Sequence, residues 1–171
     1  MPWMRLAILG NSGAGKSMLA ARLARQHGLA HLDLDALSWE PGRVAVARDR
    51  AAARADLDAF CAAHERWVVE GCYAELVAGT LAHGPQLLFL DPGVEACVAH
   101  CHARPFEPHK FASRAEQDRH LAPLVEWVRA YDTRDGELGR AAHEALFAAW
   151  PGPRRRITSA AEIAALVLHG S

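Results

Sequence analysis

Residues 10–17 read Gly-Asn-Ser-Gly-Ala-Gly-Lys-Ser and follow directly on the apolar run Leu6–Leu9. Gly10, Gly15, Lys16 and Ser17 satisfy the spacing G-x-x-x-x-G-K-[ST]. Glycines let the backbone turn sharply and aim its N–H groups at phosphate oxygens, and the helix that follows adds its positive N-terminal end. A lysine at this spacing neutralises β- and γ-phosphates, and the next hydroxyl ligates Mg²⁺. Gly10, Asn11, Ser12, Gly13, Ala14, Gly15, Lys16, Ser17 and Met18 are therefore expected to form a nucleotide cradle. The plainer alternative, a chance glycine-rich turn, does not account for the strand before it and the helix pattern after it.

The rest of the chain suits that motif. Its 171 residues are 51% apolar and 23% charged, enough for one domain with a real core. The formal net charge of −1 gives no field that would draw nucleic acid or an anionic membrane. No apolar run approaches the length of a membrane span, and the short run before the P-loop is no signal peptide, which points to the cytoplasm. In that compartment Cys61, Cys72, Cys97 and Cys101 are expected as free thiols. Lys16 and Lys110 are the two lysines among 19 basic residues. Generic positive charge is thus carried by arginine.

Apolar strands alternate with helical patterns, as in an α/β fold with a parallel sheet. Strands are expected at 5–9, 29–34, 67–70, 87–90 and 155–158. Helices are expected at 16–27, 48–64, 74–81, 94–103, 115–131, 138–149 and 160–168, with an irregular loop at 104–114 broken by Pro105 and Pro108. The expected architecture is a single three-layer P-loop NTPase domain over 1–171, with a five-stranded parallel sheet and a helical lid.

A P-loop alone does not select among kinase, GTPase and transporter ATPase. The guanine-reading Asn-Lys-x-Asp and the transporter signature Ser-Gly-Gly are both absent. The positive sign is Asp33-Leu34-Asp35, at the strand end that faces the ligand crevice of a parallel sheet. On an extended strand both carboxylates fall on one side. There they can support Mg²⁺ through water, orient an acceptor hydroxyl or take its proton. The bland reading is that one of them caps the next helical turn. Cys97, His100, Cys101 and His102 resemble a metal cluster at first sight. On a helix His102 points away from the two cysteines, which read as small core residues.

"HLDLDALSWEPG", "WVVEGCY", "HCHARPFEPHK", "WVRAYDTR" and "GPRRRITS" resemble adenylate kinase- and shikimate kinase-like P-loop kinases over most of the chain. More narrowly they resemble the bacterial adenylate-kinase-related proteins called DNA topology modulation proteins. The triple glycine of shikimate kinases and the Gly-Phe-Pro-Arg of adenylate kinases are absent, so neither acceptor is implied. Two residues compete as the second Mg²⁺ carboxylate. The local pattern Leu87–Asp91 favours Asp91, whereas the resemblance favours Glu70 and implies a metal set of Ser17, Asp33 and Glu70. The resemblance also implies ATP and Mg²⁺ as cofactors, a lid over about 104–134 opened by Arg104-Pro105, and an acceptor region over about 36–66. Lys16, Asp35 and Arg104 are then the expected catalytic residues, with Asp35 on the acceptor. Arg129 and Arg134 match the lid helix less closely. Arg43, Arg48 and Arg50 are candidates for an anionic acceptor group, with Trp39 as a wall. The expected reaction is phosphoryl transfer to a small-molecule acceptor. A nucleotide-dependent regulatory or nucleic-acid-associated protein, and an ATPase without an acceptor, are the rivals.

Overall fold

The structure, a computed structural model, describes residues 4–41 and 46–168. Five strands, β1 (Arg5–Gly10), β2 (Ala30–Asp33), β3 (Trp67–Gly71), β4 (Gln86–Leu90) and β5 (Arg154–Ile157), form one sheet in the order β2-β3-β1-β4-β5. Every neighbouring pair is parallel. The chain leaves central β1 towards β3 and β2 on one side, and β4 and β5 lie on the other. A crevice therefore opens at the carboxyl end of β1, where the glycine-rich segment begins.

Side chains alternate across the strands and build two cores. Leu6 and Ile8 of β1, with Leu88 and Leu90 of β4, pack against α1 (Lys16–His27), α5 (Val94–Ala103), α6 (Arg114–Arg129) and α8 (Ala160–Ala165). Ala7 and Leu9, with Trp67, Leu87 and Phe89, pack against α3 (Arg50–Ala63), α4 (Ala74–Gly79) and α7 (Arg140–Ala149). Helices on both faces explain why the central strands read as continuous apolar runs. The result is the expected three-layer α/β architecture. Cys97 and Cys101 lie in the first core and Cys61 and Cys72 in the second, all with free thiols. Burial pushes the Cys97 thiol up to about 11, as expected of a small core residue. Among the described residues no helix is long and apolar enough to cross a membrane.

Local chemistry sets the helix ends. Gly28 closes α1 in the left-handed region at φ 64°. Asp49 caps α3 by accepting from the Ala52 N–H at 2.9 Å. Ser113 caps α6, accepting from Glu116 N–H at 3.1 Å, while the Glu116 carboxylate reaches back to Ala112 N–H at 2.8 Å. Strand two differs from expectation: β2 ends at Asp33, and a short helix, α2 (Asp35–Ser38), starts two residues later. Asp33 Oδ1 accepts from Asp35 N–H at 2.9 Å, so Asp33 does cap the turn that follows it. Asp35 therefore leaves from a helical turn, and the two carboxylates do not share the side of one extended strand.

Candidate active site

The loop between β1 and α1 needs its glycines for two separate reasons. Gly13 and Gly15 have φ of 79° and 96°, where an L side chain is strained. A Cβ on Gly13 would also run into the Cys97 carbonyl and approach Cys101 Sγ to 3.0 Å. Helix α5 thus lies directly beneath the loop. His100 tightens the contact, donating from Nδ1 to the Gly13 carbonyl at 2.6 Å. Lys16 arches back and donates from Nζ to the Asn11 carbonyl at 2.6 Å. Buried Asn11 donates to the Val128 carbonyl at 3.2 Å, tying the loop to α6, while its Oδ1 has no partner among the described residues. The Met18 side chain is 82% exposed, so only its backbone N–H, in the first turn of α1, faces the loop's chemistry.

The acidic side of the loop is built by two neighbouring strands. Ser17 Oγ donates to Glu70 Oε1 at 2.8 Å, and Glu70 is 1% exposed. Asp33 lies opposite Glu70 in the β2–β3 register. His31, two residues earlier on β2, places Nε2 3.4 Å from the same Glu70 oxygen. Burial, and then the charges of Glu70 and Asp35, push the Asp33 carboxyl up to about 6; the Asp35 N–H and Lys110 oppose them. A hydroxyl and two carboxylates in such a crowded negative corner suit a hard divalent cation that keeps some of its waters. With the left-handed loop glycines and Lys16, these residues fit Mg²⁺ and a nucleotide polyphosphate.

Asp91 is committed elsewhere. Arg140 grips it with two bonds of 2.9 and 3.0 Å, and Arg156 adds one of 2.5 Å. Burial works to raise its pKa, but these two arginines hold it below the ordinary carboxylate value. Arg156 and Arg140 also lie over the rings of Phe89 and Tyr131. The good local strand pattern before Asp91 thus leads into an arginine cluster.

A cavity of about 260 Å³ opens above the loop, lined by Ser12, Asp35, Arg104 and Lys110 together with Phe111 and Leu121. It brings together residues from the P-loop, the β2 end and the segment between α5 and α6. Gln117 braces that segment, donating to the Pro105 carbonyl at 3.0 Å and accepting from Glu107 N–H at 2.8 Å. Arg129 does not line the cavity; it pairs with exposed Glu95 at 2.6 Å. The Arg134 guanidinium lies 3.5 Å over the Trp127 ring and donates to the Leu138 carbonyl, leaving Nη2 without a partner among the described residues.

A second cleft of about 180 Å³ adjoins Tyr73, whose hydroxyl donates to Asp35 Oδ1 at 2.7 Å. Burial and then the Asp35 charge push the Tyr73 pKa up, so the phenol stays a donor. Arg48, Arg50 and Trp39 line this cleft. Both arginines are already paired, Arg48 with Asp56 and Arg50 with Glu137. Arg43 lies outside the described residues.

Sequence reasoning missed Tyr73, His31 and His100. His31 carried a usable signal, since it stands two residues before Asp33 on the same strand. Tyr73 and His100 carried none, because their partners, Asp35 and Gly13, are 38 and 87 residues away.

No family model matches the chain, and no curated protein matches it. Several solved structures are similar in fold. A shikimate kinase from Acinetobacter baumannii in complex with shikimate is 19% identical, with 84% of this chain and 91% of that one covered and a TM-score of 0.44. A gluconokinase from Sinorhizobium meliloti 1021 is 19% identical, with 86% and 98% covered and a TM-score of 0.44. An unliganded sugar kinase from Janibacter sp. HTCC2649 is 15% identical, with 92% and 86% covered and a TM-score of 0.49. All three are P-loop kinases. Likeness of this degree leaves the activity to be read from the site itself.

Proposed function

We propose that this chain transfers a phosphoryl group from ATP to a hydroxyl of a small-molecule acceptor. The observation that carries the reading is the shared cavity: Ser12 of the loop, the Asp35 carboxylate and the cations Arg104 and Lys110 face one space. In a kinase, a carboxylate placed beyond the phosphates orients the attacking hydroxyl. ATP supplies the phosphoryl group, and Mg²⁺ offsets its charge. Ser17, Glu70 and Asp33 would hold the cation, and Lys16 with the loop N–H groups would hold the phosphates. Asp35, fixed by Tyr73, orients the acceptor hydroxyl and accepts its proton. Arg104 stabilises negative charge that develops during transfer. Residues 104–129 exclude water that would otherwise compete as acceptor.

A coupled ADP-release assay tests this against nucleosides, nucleoside monophosphates, sugars and shikimate-like acids. The expected result is ADP formation that rises with one acceptor class and requires Mg²⁺. ADP release that no acceptor increases would assign the chain as an ATPase instead.

A further inference from the structure

Charge balance at the acceptor end of the cleft bears on what the acceptor is. Arg48 donates to Asp56 Oδ2 at 2.5 Å, and Arg50 donates to Glu137 Oε1. Glu137 is anchored twice, since its Oε2 accepts from the Glu75 N–H at 3.1 Å. That second bond holds the Glu137 carboxylate in place beside Arg50, where its charge offsets the guanidinium's. Asp35 adds a further negative charge behind the Tyr73 hydroxyl. Among the described residues, then, the lining cations are neutralised by the chain's own carboxylates.

We infer that the acceptor is an uncharged, hydroxyl-bearing ring, because among the described residues both arginines that line the cleft are already paired with the chain's own carboxylates and Asp35 adds a further negative charge. The inference rests on the phosphoryl-transfer reading above. A hydroxyl suits a guanidinium–carboxylate pair: it accepts from a free N–H and donates to a carboxylate oxygen. The walls fit the same chemistry. Two aromatic residues, the exposed Trp39 and the buried Tyr73, line the cleft, and aromatic rings pack well against the C–H face of a ring. The volume of about 180 Å³ is small beside the roughly 300–1,000 Å³ of drug-sized sites, which suits a single ring. A free monosaccharide and the ribose of a nucleoside share this chemistry.

The test measures binding to the full chain by calorimetry, with the nucleotide site filled by a non-hydrolysable ATP analogue. The probes are matched pairs: a panel of monosaccharides against their uronic acids, and nucleosides against their 5′-monophosphates. The neutral member of at least one pair should bind at least about tenfold more tightly than its charged partner. Which pair responds separates the sugar from the nucleoside. Glu137→Gln keeps the side-chain shape, releases the Arg50 charge and should shift the ratio about tenfold towards the charged member. Tighter binding of the charged member by the parent chain overturns the inference, and so does failure of every neutral probe to bind. An unchanged ratio in Glu137→Gln does the same, and the parent's own selectivity decides the matter if that variant does not fold. Binding of the ATP analogue is read first and separately. Its absence would count against the phosphoryl-transfer reading, while the neutral-versus-charged comparison would still stand.

Discussion

Glu70 and Asp91 both end buried strands, yet their surroundings give them opposite tasks. Glu70 faces the Ser17 hydroxyl, whereas Asp91 is enclosed by Arg140 and Arg156. Glu70→Gln should therefore weaken Mg²⁺-dependent ATP use at least about tenfold while leaving the melting temperature close to the parent's. Asp91→Asn should do the reverse. It removes the carboxylate that the two arginines share, leaving them Asp132 and Glu144, and should cost on the order of 1–2 kcal/mol of stability with little change in Mg²⁺ dependence. Thermal melts and Mg²⁺ titrations on the two variants decide between these assignments. Asp33 illustrates tension between stability and function. Its pKa lies near 6 in the folded chain against 3.8 in an unfolded one, so its stability contribution is lost as pH rises through 6. Asp33→Asn should stabilise the Mg²⁺-free protein at pH 7.5 by on the order of 1 kcal/mol, since partial solvation screens the full effect. It should also lose the extra stability that Mg²⁺ with ATP gives the parent. A melt in chelator that shows no gain would mean the negative corner is not strained.

At the scale of elements, the segment between α5 and α6 is held by the Gln117 clamp, the Lys110–Glu107 pair and a Phe111–His120 ring contact, and it lines the cavity above the loop. Arg104→Ala should lower kcat by about two to three orders of magnitude while ATP affinity falls much less, because its charge acts mainly on the transition state. Amide exchange across 104–129 should slow when ATP and a true acceptor are both bound. Equal protection in both states, with a normal rate for Arg104→Ala, would reduce this segment to scaffold. Most elements were legible because their signals are local. Apolar runs three or four residues long, Gly28, Ser113 with Glu116, and the proline-broken loop each mark an element or its end within a few neighbours. The boundary between Asp33 and Asp35 was not legible. Leu-Asp-Leu-Asp alternates like a strand, and the helical turn wins because Asp33 satisfies the Asp35 N–H and Leu34 fills the core. The competition between Glu70 and Asp91 could not be resolved from local pattern either. Arg140 and Arg156 reach Asp91 from 49 and 65 residues away.

Across the whole molecule, one buried histidine joins the acceptor side to the segment after α6. His143, 0% exposed, donates from Nε2 to the Cys72 carbonyl at 2.7 Å and accepts at Nδ1 from the Tyr131 hydroxyl at 2.8 Å. Accepting at Nδ1 requires the neutral ring, and burial pulls its pKa down to about 4 from the usual 6.5. As pH falls below 6.5 the unfolded chain takes up a proton that the folded chain refuses. His143 should therefore make stability fall between pH 6.5 and 4, by at most about 1.4 kcal/mol per pH unit. Denaturant titrations at pH 7, 6 and 5 should show a shallower fall in His143→Gln than in the parent; parallel curves would remove the histidine from the account. The chemistry proposed for this chain lies inside the cleft, where Asp35, Arg104 and Lys110 face one space. The most direct test of that claim follows the phosphorus. With ATP, Mg²⁺ and the acceptor found by screening, ³¹P NMR should show the γ-phosphoryl group moving onto an acceptor hydroxyl. In Asp35→Asn the same spectra should show ATP persisting, although calorimetry finds the nucleotide still bound. Release of inorganic phosphate alone, at a rate indifferent to acceptor and to Asp35, would contradict phosphoryl transfer as the function of this site.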